Sequence, residues 1–353
     1  MRFANDLPLM ELMAEQPLPP ASPAPGPSPR STAAMTQPVD GEAEAVFVVG
    51  VSRSGTTLLR RVLETSPRVG IAGENHYMGH LIWREGSRHY FAKLGDLHDD
   101  ATVRRVVDFI YSGEYHRRSK LREPSHYWTW LVKHVPADDF AARLLAEERT
   151  QRGVLRAMMR AYSDVEGRAV IGEKSPPHLW YVETLLEWFP GGRVIHMVRD
   201  PRAVYVSEVR RRRERPKKPF SWIMKVPYAL ETVLLLQTTM VWAAAEARHR
   251  TLRRRFPDRY MALRFEDLVQ DSRRQLPLVF GFIGVETPPD PTDVKVVSQG
   301  YRLGDAGLDS GAASRWRQHI GPFADRWMRF FLGPAMRRFG YLPGRGAGAG
   351  SIG

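Results

Sequence analysis

The 353-residue chain has no cysteine. That excludes a disulfide framework, a thiolate metal site and a cysteine nucleophile. Lysine is scarce as well: eight Lys stand among 52 basic residues, and the other 44 are Arg. Long apolar runs are missing. The longest candidate, Thr232–Ala245, falls short of the roughly 20 residues that span a bilayer. Residues 1–20 carry Asp6, Glu11 and Glu15 and lack the apolar stretch of a signal peptide. The 11 His show no metal-ligand spacing with carboxylates, so no metal is expected. These absences predict a cytoplasmic protein, with a peripheral membrane contact left open.

What is present is basic and globular. The formal charge is +13. Arg forms flat, bidentate bonds to phosphate and carboxylate. An anionic ligand, a nucleic acid or an anionic membrane all suit that balance, and charge alone does not choose between them. The 43% of hydrophobic residues is enough for an ordinary core. Nine of the 27 Pro fall in residues 1–44, whose composition predicts a disordered tail. The Gly/Ala-rich residues 344–353 read as a second flexible tail. A single domain is expected over 45–343.

Within it, short apolar runs alternate with helical stretches. Ala45–Val49, Val69–Ala72, Ala169–Gly172, Arg193–Val198 and Tyr260–Phe265 read as strands. Helices are expected over Thr56–Glu64, His178–Phe189, Arg202–Arg213 and Glu266–Ile283, with helical insertions at about 75–165 and 215–255. Asp200 and Pro201 suit the start of the third of these helices. The fold class is therefore α/β: a P-loop-like parallel sheet of about five strands flanked by helices, with a large mainly helical insertion. Ligands of such sheets sit at the carboxyl ends of the strands. Strands one and two, separated by one short helix, are expected to be neighbours.

The run Gly50-Val51-Ser52-Arg53-Ser54-Gly55-Thr56-Thr57 joins the first strand to the first helix. Its two Gly let the backbone wrap an anion at a helix start, and Thr56 and Thr57 add hydroxyls. A nucleotide triphosphatase loop has Lys where Thr56 stands. Here Arg53, inside the loop, supplies the cation. A bare helix-capping turn is the bland reading of the same residues. The segment Val48–Leu59, V-V-G-V-S-R-S-G-T-T-L-L, resembles the 5′-phosphosulfate loop of sulfotransferases. It is most similar to the bacterial branch and the protein-tyrosine sulfotransferases, which have Arg where cytosolic members have Lys. The resemblance implies 3′-phosphoadenylyl sulfate as co-substrate, with Arg53, Ser54, Gly55, Thr56 and Thr57 around its 5′ end.

Such a donor carries two separated charges, so a second anion site is required. Arg199 closes the fourth strand, and Ser207 lies about two turns into the next helix. The pair resembles the family's 3′-phosphate motif, an Arg followed eight residues on by a Ser. An Arg–Asp pair that stabilises the turn is the competing reading, and Arg202 is expected to be solvated. Arg315, in Arg315-Trp316-Arg317, loosely resembles a late loop that closes over the nucleotide in the family.

For the chemistry, Glu74 after strand two is the expected base, since the tyrosine sulfotransferases have a Gly-Glu in a similar place. His76 and His80 are the alternatives, because cytosolic members use His, and Lys133-His134 follows. Lys174, in Glu173-Lys174-Ser175-Pro176, resembles a family element and is the expected acid; a surface Glu173–Lys174 pair is the bland reading. Tyr127, Trp128 and Trp130 read as core packing before an acceptor pocket. The basic run Arg210–Arg213, Arg215, Lys217 and Lys218 reads as a solvated face before a lid. The expected partner is a small-molecule, glycan, glycolipid or peptide acceptor. A P-loop kinase is the enzyme alternative, with Thr56 against it. A nucleic-acid-binding protein is the other, with the scatter of the Arg against it, so no nucleic acid is expected.

Overall fold

The structure is a computed structural model that describes residues 41–81, 85–114, 126–214, 226, 228–294, 297–298, 301–302 and 307–343. The predicted tails at 1–40 and 344–353, and Arg215, Lys217 and Lys218 of the basic run, lie outside the described residues. The described part runs β1 (Ala45–Gly50), α1 (Thr56–Leu63), β2 (Val69–Ala72), α2 (Ser87–Ala92), α3 (Asp100–Tyr111), α4 (His126–His134), α5 (Ala137–Ala146), α6 (Gln151–Val165) and β3 (Val170–Lys174). It continues through α7 (Val182–Trp188), β4 (Arg193–Val198), α8 (Pro201–Glu214), α9 (Ala229–Arg255), β5 (Tyr260–Arg264), α10 (Phe265–Gln270) and α11 (Ser272–Phe282). A two-residue pair, β6 (Val297–Ser298) and β7 (Tyr301–Arg302), precedes α12 (Pro322–Arg338).

Five parallel strands form one sheet in the order β2-β3-β1-β4-β5. All six residues of β1 are buried, as a parallel strand covered on both faces requires. Phe47 and Val49 face a core shared with α6 and Phe189, whereas Val46 and Val48 face Leu59, Val62 and Phe280. This period-two division of an all-apolar run makes the sheet the middle layer.

The sheet order corrects one expectation. β3 lies between β1 and β2, so strands one and two are not neighbours. The helical stretch at 75–165 also divides by role. Its last helix, α6, covers β2, and Ser163 Oγ donates to the Gly70 carbonyl at 3.2 Å. It is therefore the crossover to β3 that a parallel pair needs. The stretch expected as one helix from His178 begins as a 3₁₀ turn over Pro176–Tyr181 and becomes α-helical only at Val182. Residues 265–282 make two helices that meet at Asp271.

Residues 41–44, assigned to the tail by composition, belong to the domain. Ala43 is buried, and its N–H donates to the Ile283 carbonyl at 2.9 Å. Glu42 pairs with Arg68, and Glu44 Oε2 accepts from the Gly191 N–H at 3.0 Å. A chain beginning at Gly41 should therefore melt like the full chain. One beginning at Ala45 should lose about 2 kcal/mol or more, several degrees in melting temperature. Thermal unfolding of the two truncations checks this; equal melting temperatures would mean residues 41–44 contribute nothing.

Candidate active site

In the strand order, the chain leaves β1 for one side of the sheet and later returns to the other side at β4. Such a reversal opens a crevice at the carboxyl ends of the two central strands. The Gly50–Thr57 loop leaves β1 there, and Arg199 follows β4.

The loop is shaped by close approach. Gly50 and Gly55 take φ of 154° and 94°, which L side chains avoid. A Cβ on Gly50 would stand 2.6 Å from the Met197 carbonyl oxygen, and one on Gly55 would collide with the Phe265 ring. Gly55 is the N-cap of α1, and Ser54 and Thr56 are buried while Thr57 is exposed. Arg53 is a non-Gly residue at φ 72°, a conformation that must be held by its surroundings. Two contacts hold it: its Nε donates to Ser207 Oγ at 3.0 Å, and its carbonyl accepts from Arg199 Nη1 at 3.1 Å. Arg53 thus joins the loop to the second motif.

Arg199 lies 4.1 Å over the Phe265 ring, and its Nη2 donates to the Ala312 carbonyl at 3.1 Å. Its Nε is buried with no hydrogen-bond partner among the described residues. Burial pushes its pKa down to about 10, so it stays charged at neutral pH. Burial also lowers the Arg53 pKa, with the Arg211 charge adding to it; the Glu208 and Glu74 carboxylates oppose the fall.

Arg202 is not solvated, contrary to expectation. It is buried, chelates Asp200, reaches Asp325 at 3.1 Å and stacks on Trp316 at 4.4 Å. Leaving such a charge in the interior without these partners would be costly. The late loop reaches the second motif through Ala312 and Trp316, whereas Arg315 pairs with Asp309.

The other end of the crevice is made by β2 and β3, which are neighbours. Lys174 Nζ donates to Glu74 Oε1 at 2.6 Å. Lys174 is buried and Glu74 half-buried; Glu173 is buried too, so Glu173 and Lys174 do not form the surface pair that the bland reading supposed. Glu173 points to the opposite side of β3 and is fully buried. It takes hydrogen bonds from Asn75, Ser175 Oγ and His178 Nδ1. His178 Nε2 in turn accepts from the Met78 N–H at 3.2 Å. This network fastens the segment after β2 to the segment after β3, and with it Glu74 to Lys174. Trp128 adds a bond from its Nε1 to the Asn75 carbonyl at 3.2 Å, and the Tyr127 N–H donates to the Glu74 carbonyl.

His76 lies 3.9 Å from Glu74 and 3.1 Å from the His80 ring nitrogen. Burial pushes the His76 pKa down to about 3 and lowers that of His80, against the pull of Glu74. A ring with so low a pKa is a weak base near pH 7. His134 stacks on Trp130, which packs on Tyr162, and Tyr162 bonds Arg60 and Glu64 at the far end of α1 from the loop. Tyr127 and Trp128 are core residues. The described part of the basic run is mostly paired: Arg210 with Glu214, Arg211 and Arg212 with Glu208, Arg213 with Glu231. Among the described residues no group of His, Cys, Asp and Glu is placed to hold a metal ion, and no helix is long and apolar enough to cross a membrane.

Sequence reasoning missed the floor of the loop. His196, on β4, is buried under Gly50 and its Nδ1 shares a hydrogen with Tyr260 Oη at 2.5 Å. Burial pushes its pKa down to about 3. The unfolded chain therefore binds a proton that the folded one refuses. This cost is absent above about pH 6.5 and grows as pH falls toward 3. From pH 7 to pH 4 His196 should remove about 3 kcal/mol of stability. Urea unfolding of His196→Gln across that range should show a correspondingly shallower fall; a slope equal to that of the parent would reject the assignment.

The comparisons with known proteins bear on this geometry. Residues 45–289 match the model of the sulfotransferase family. An omega-hydroxy-beta-dihydromenaquinone-9 sulfotransferase of Mycobacterium bovis is 26% identical over 264 residues, 68% of this chain and 62% of that one. A Mycobacterium tuberculosis protein of the same name matches equally. The chain thus spans about three fifths of the length of the curated relatives it matches. Among solved structures, a sulfotransferase domain from the curacin biosynthetic pathway is 17% identical, with a TM-score of 0.50 over 82% of this chain and 96% of that one. A sulfotransferase domain from the Synechococcus PCC 7002 olefin synthase is 22% identical, with a TM-score of 0.47 over 87% and 98%. The match over residues 45–289 takes in the Gly50–Thr57 loop, Arg199, Ser207, the Glu74–Lys174 pair and the whole parallel sheet: the chain belongs to the sulfotransferase family.

Proposed function

We propose that the protein transfers a sulfuryl group from 3′-phosphoadenylyl sulfate to a hydroxyl of a small-molecule or lipid acceptor, with Glu74 as base. The observation that carries this reading is the Glu74–Lys174 contact at 2.6 Å, at the carboxyl ends of β2 and β3. The residues present suit the donor. The Gly50–Thr57 turn leads into the N-terminus of α1, which suits a phosphate, and Arg199 keeps a buried Nε without a partner among the described residues. Loop and Arg199 meet at Arg53, so one cluster serves both ends of a doubly charged nucleotide.

In this reading Ser54, Gly55, Thr56 and Thr57 hold the 5′ phosphosulfate, and Arg199 and Ser207 the 3′-phosphate. Glu74 takes the proton of the acceptor hydroxyl as that oxygen bonds to sulfur. The bond from sulfur to the bridging oxygen breaks, and Lys174 offsets the charge that builds on the leaving 3′,5′-ADP. Arg53 and Lys174 together offset the repulsion between Glu74 and the donor. The mycobacterial relative, by its name, sulfates an omega-hydroxylated menaquinone, and we adopt a hydroxyl on an apolar molecule as the acceptor class. Incubating the protein with sulfur-labelled donor and lipid and aqueous extracts of its producer cells tests this. Label should enter an extractable organic product with equal release of 3′,5′-ADP. Tighter binding of ATP than of 3′,5′-ADP, with transfer of a phosphoryl group, would make the protein a kinase instead.

A further inference from the structure

We infer that the outer face of α12 docks the protein on an anionic lipid bilayer. This goes beyond sulfuryl transfer and stands independently of it. At 3.6 residues per turn, Ala324, Met328, Leu332, Ala335 and Met336 form the buried side of the helix. The remaining arc is divided. Phe323, Trp327, Phe330 and Phe331 occupy about 100° of it, and Arg326, Arg329 and Arg337 the adjoining 80° or so. Three of the aromatic residues are among the most exposed large apolar side chains described: Phe330 at 78%, Phe323 at 69% and Phe331 at 53%. Their rings are not scattered. Phe323 lies 6.0 Å from Trp327, Trp327 4.4 Å from Phe331, and Phe331 5.0 Å from Phe330.

The patch continues onto α9. Trp327 Nε1 donates to Thr239 Oγ1 at 3.2 Å, and next to Thr239 the exposed residues Leu236 and Met240 are one turn apart. Single exposed apolar residues need no explanation, but a contiguous aromatic patch does. The patch is also held rigidly. Asp325 pairs with Arg202, which ties α12 to α8, the helix that carries Ser207.

Charge selects the occupant. Asp325 is the only acidic residue of α12, and it is engaged by Arg202 and Arg329. The exposed arc is therefore aromatic and cationic, on a chain of formal charge +13. A second copy meeting face to face would set Arg against Arg. Anionic headgroups complement that strip, while the rings enter the boundary between headgroups and acyl chains.

The test is sedimentation of the full chain with vesicles of phosphatidylglycerol mixed into phosphatidylcholine, against phosphatidylcholine alone. Partitioning should favour the anionic vesicles by at least about tenfold and weaken in high salt. Phe330→Ser with Phe331→Ser should lower it by about tenfold or more. Arg326→Gln with Arg337→Gln should remove the preference for anionic lipid. Both pairs should keep the parent's melting temperature and its affinity for 3′,5′-ADP. Equal partitioning into the two vesicle types would overturn the inference, as would variants that partition like the parent. So would a concentration-dependent dimer that the Phe pair dissolves, which would assign the face to a second copy.

Discussion

Replacing Glu74 by Gln is expected to cut turnover by roughly 10²–10⁴, while affinity for 3′,5′-ADP stays within about threefold. Gln keeps the shape, and its amide oxygen can still accept from Lys174, whose Nζ stands 2.6 Å from the Glu74 carboxylate. What it loses is the ability to take a proton. The proposed nucleotide contacts lie on the Gly50 loop and around Arg199, so binding and rate should separate cleanly. Initial rates of label transfer and a titration with 3′,5′-ADP supply the two readouts. His76 and His80 are the controls. Burial drives the His76 pKa to about 3, and the His80 ring is spent on His76 at 3.1 Å. His80→Ala should accordingly retain far more activity than Glu74→Gln. An active Glu74→Gln beside a dead His76→Ala or His80→Ala would give the base role to a histidine.

β1 to β4 are legible because a doubly covered parallel strand is a short apolar run, and the edge strand β5, which leaves Ala262 exposed, is legible from its Tyr260–Phe265 run. Their order is not. Periodicity is local, whereas pairing is decided by segments a hundred residues apart, and β3 enters between β1 and β2. The contact between Glu74 and Lys174 does not depend on that order. β2 and β3 are neighbours, so Glu74 and Lys174 meet even though Glu74 is one strand further from the loop than expected. The sequence names Lys174 as the expected acid and leaves Glu173 only as its partner in the bland surface pair. In a strand, consecutive side chains point to opposite faces, and both faces of β3 are covered. That rule alone would have separated Glu173 from Lys174. Its partner Asn75 lies 98 residues away, and His178, five residues on, reaches it only because the chain turns back through the 3₁₀ turn. Arg202 failed in the same way: its burial depends on Trp316 and Asp325, more than a hundred residues away.

Arg199 should decide whether the nucleotide site reads a 3′-phosphate. A charge-assisted phosphate contact contributes roughly 1.5–3 kcal/mol, about ten- to a hundredfold in affinity. The parent should therefore bind 3′,5′-ADP ahead of 5′-AMP by that factor, and Arg199→Ala should erase most of the gap. The side chain is charged at neutral pH, because its pKa, lowered by burial, is still about 10. It also carries a structural duty, since Nη1 and Nη2 hold the carbonyls of Arg53 and Ala312. The two roles predict different outcomes in a titration calorimeter. Loss of phosphate recognition lowers 3′,5′-ADP affinity and leaves 5′-AMP within about threefold. Loss of a strut under the loop lowers both together, because the loop itself holds the 5′ end. Ser207→Ala offers the milder version, since its hydroxyl already accepts from Arg53 at 3.0 Å and its removal leaves Arg199 in place. Equal affinity of the parent for the two nucleotides would reject the second anion site outright, and a parallel loss in Arg199→Ala would leave Arg199 as a brace for the loop.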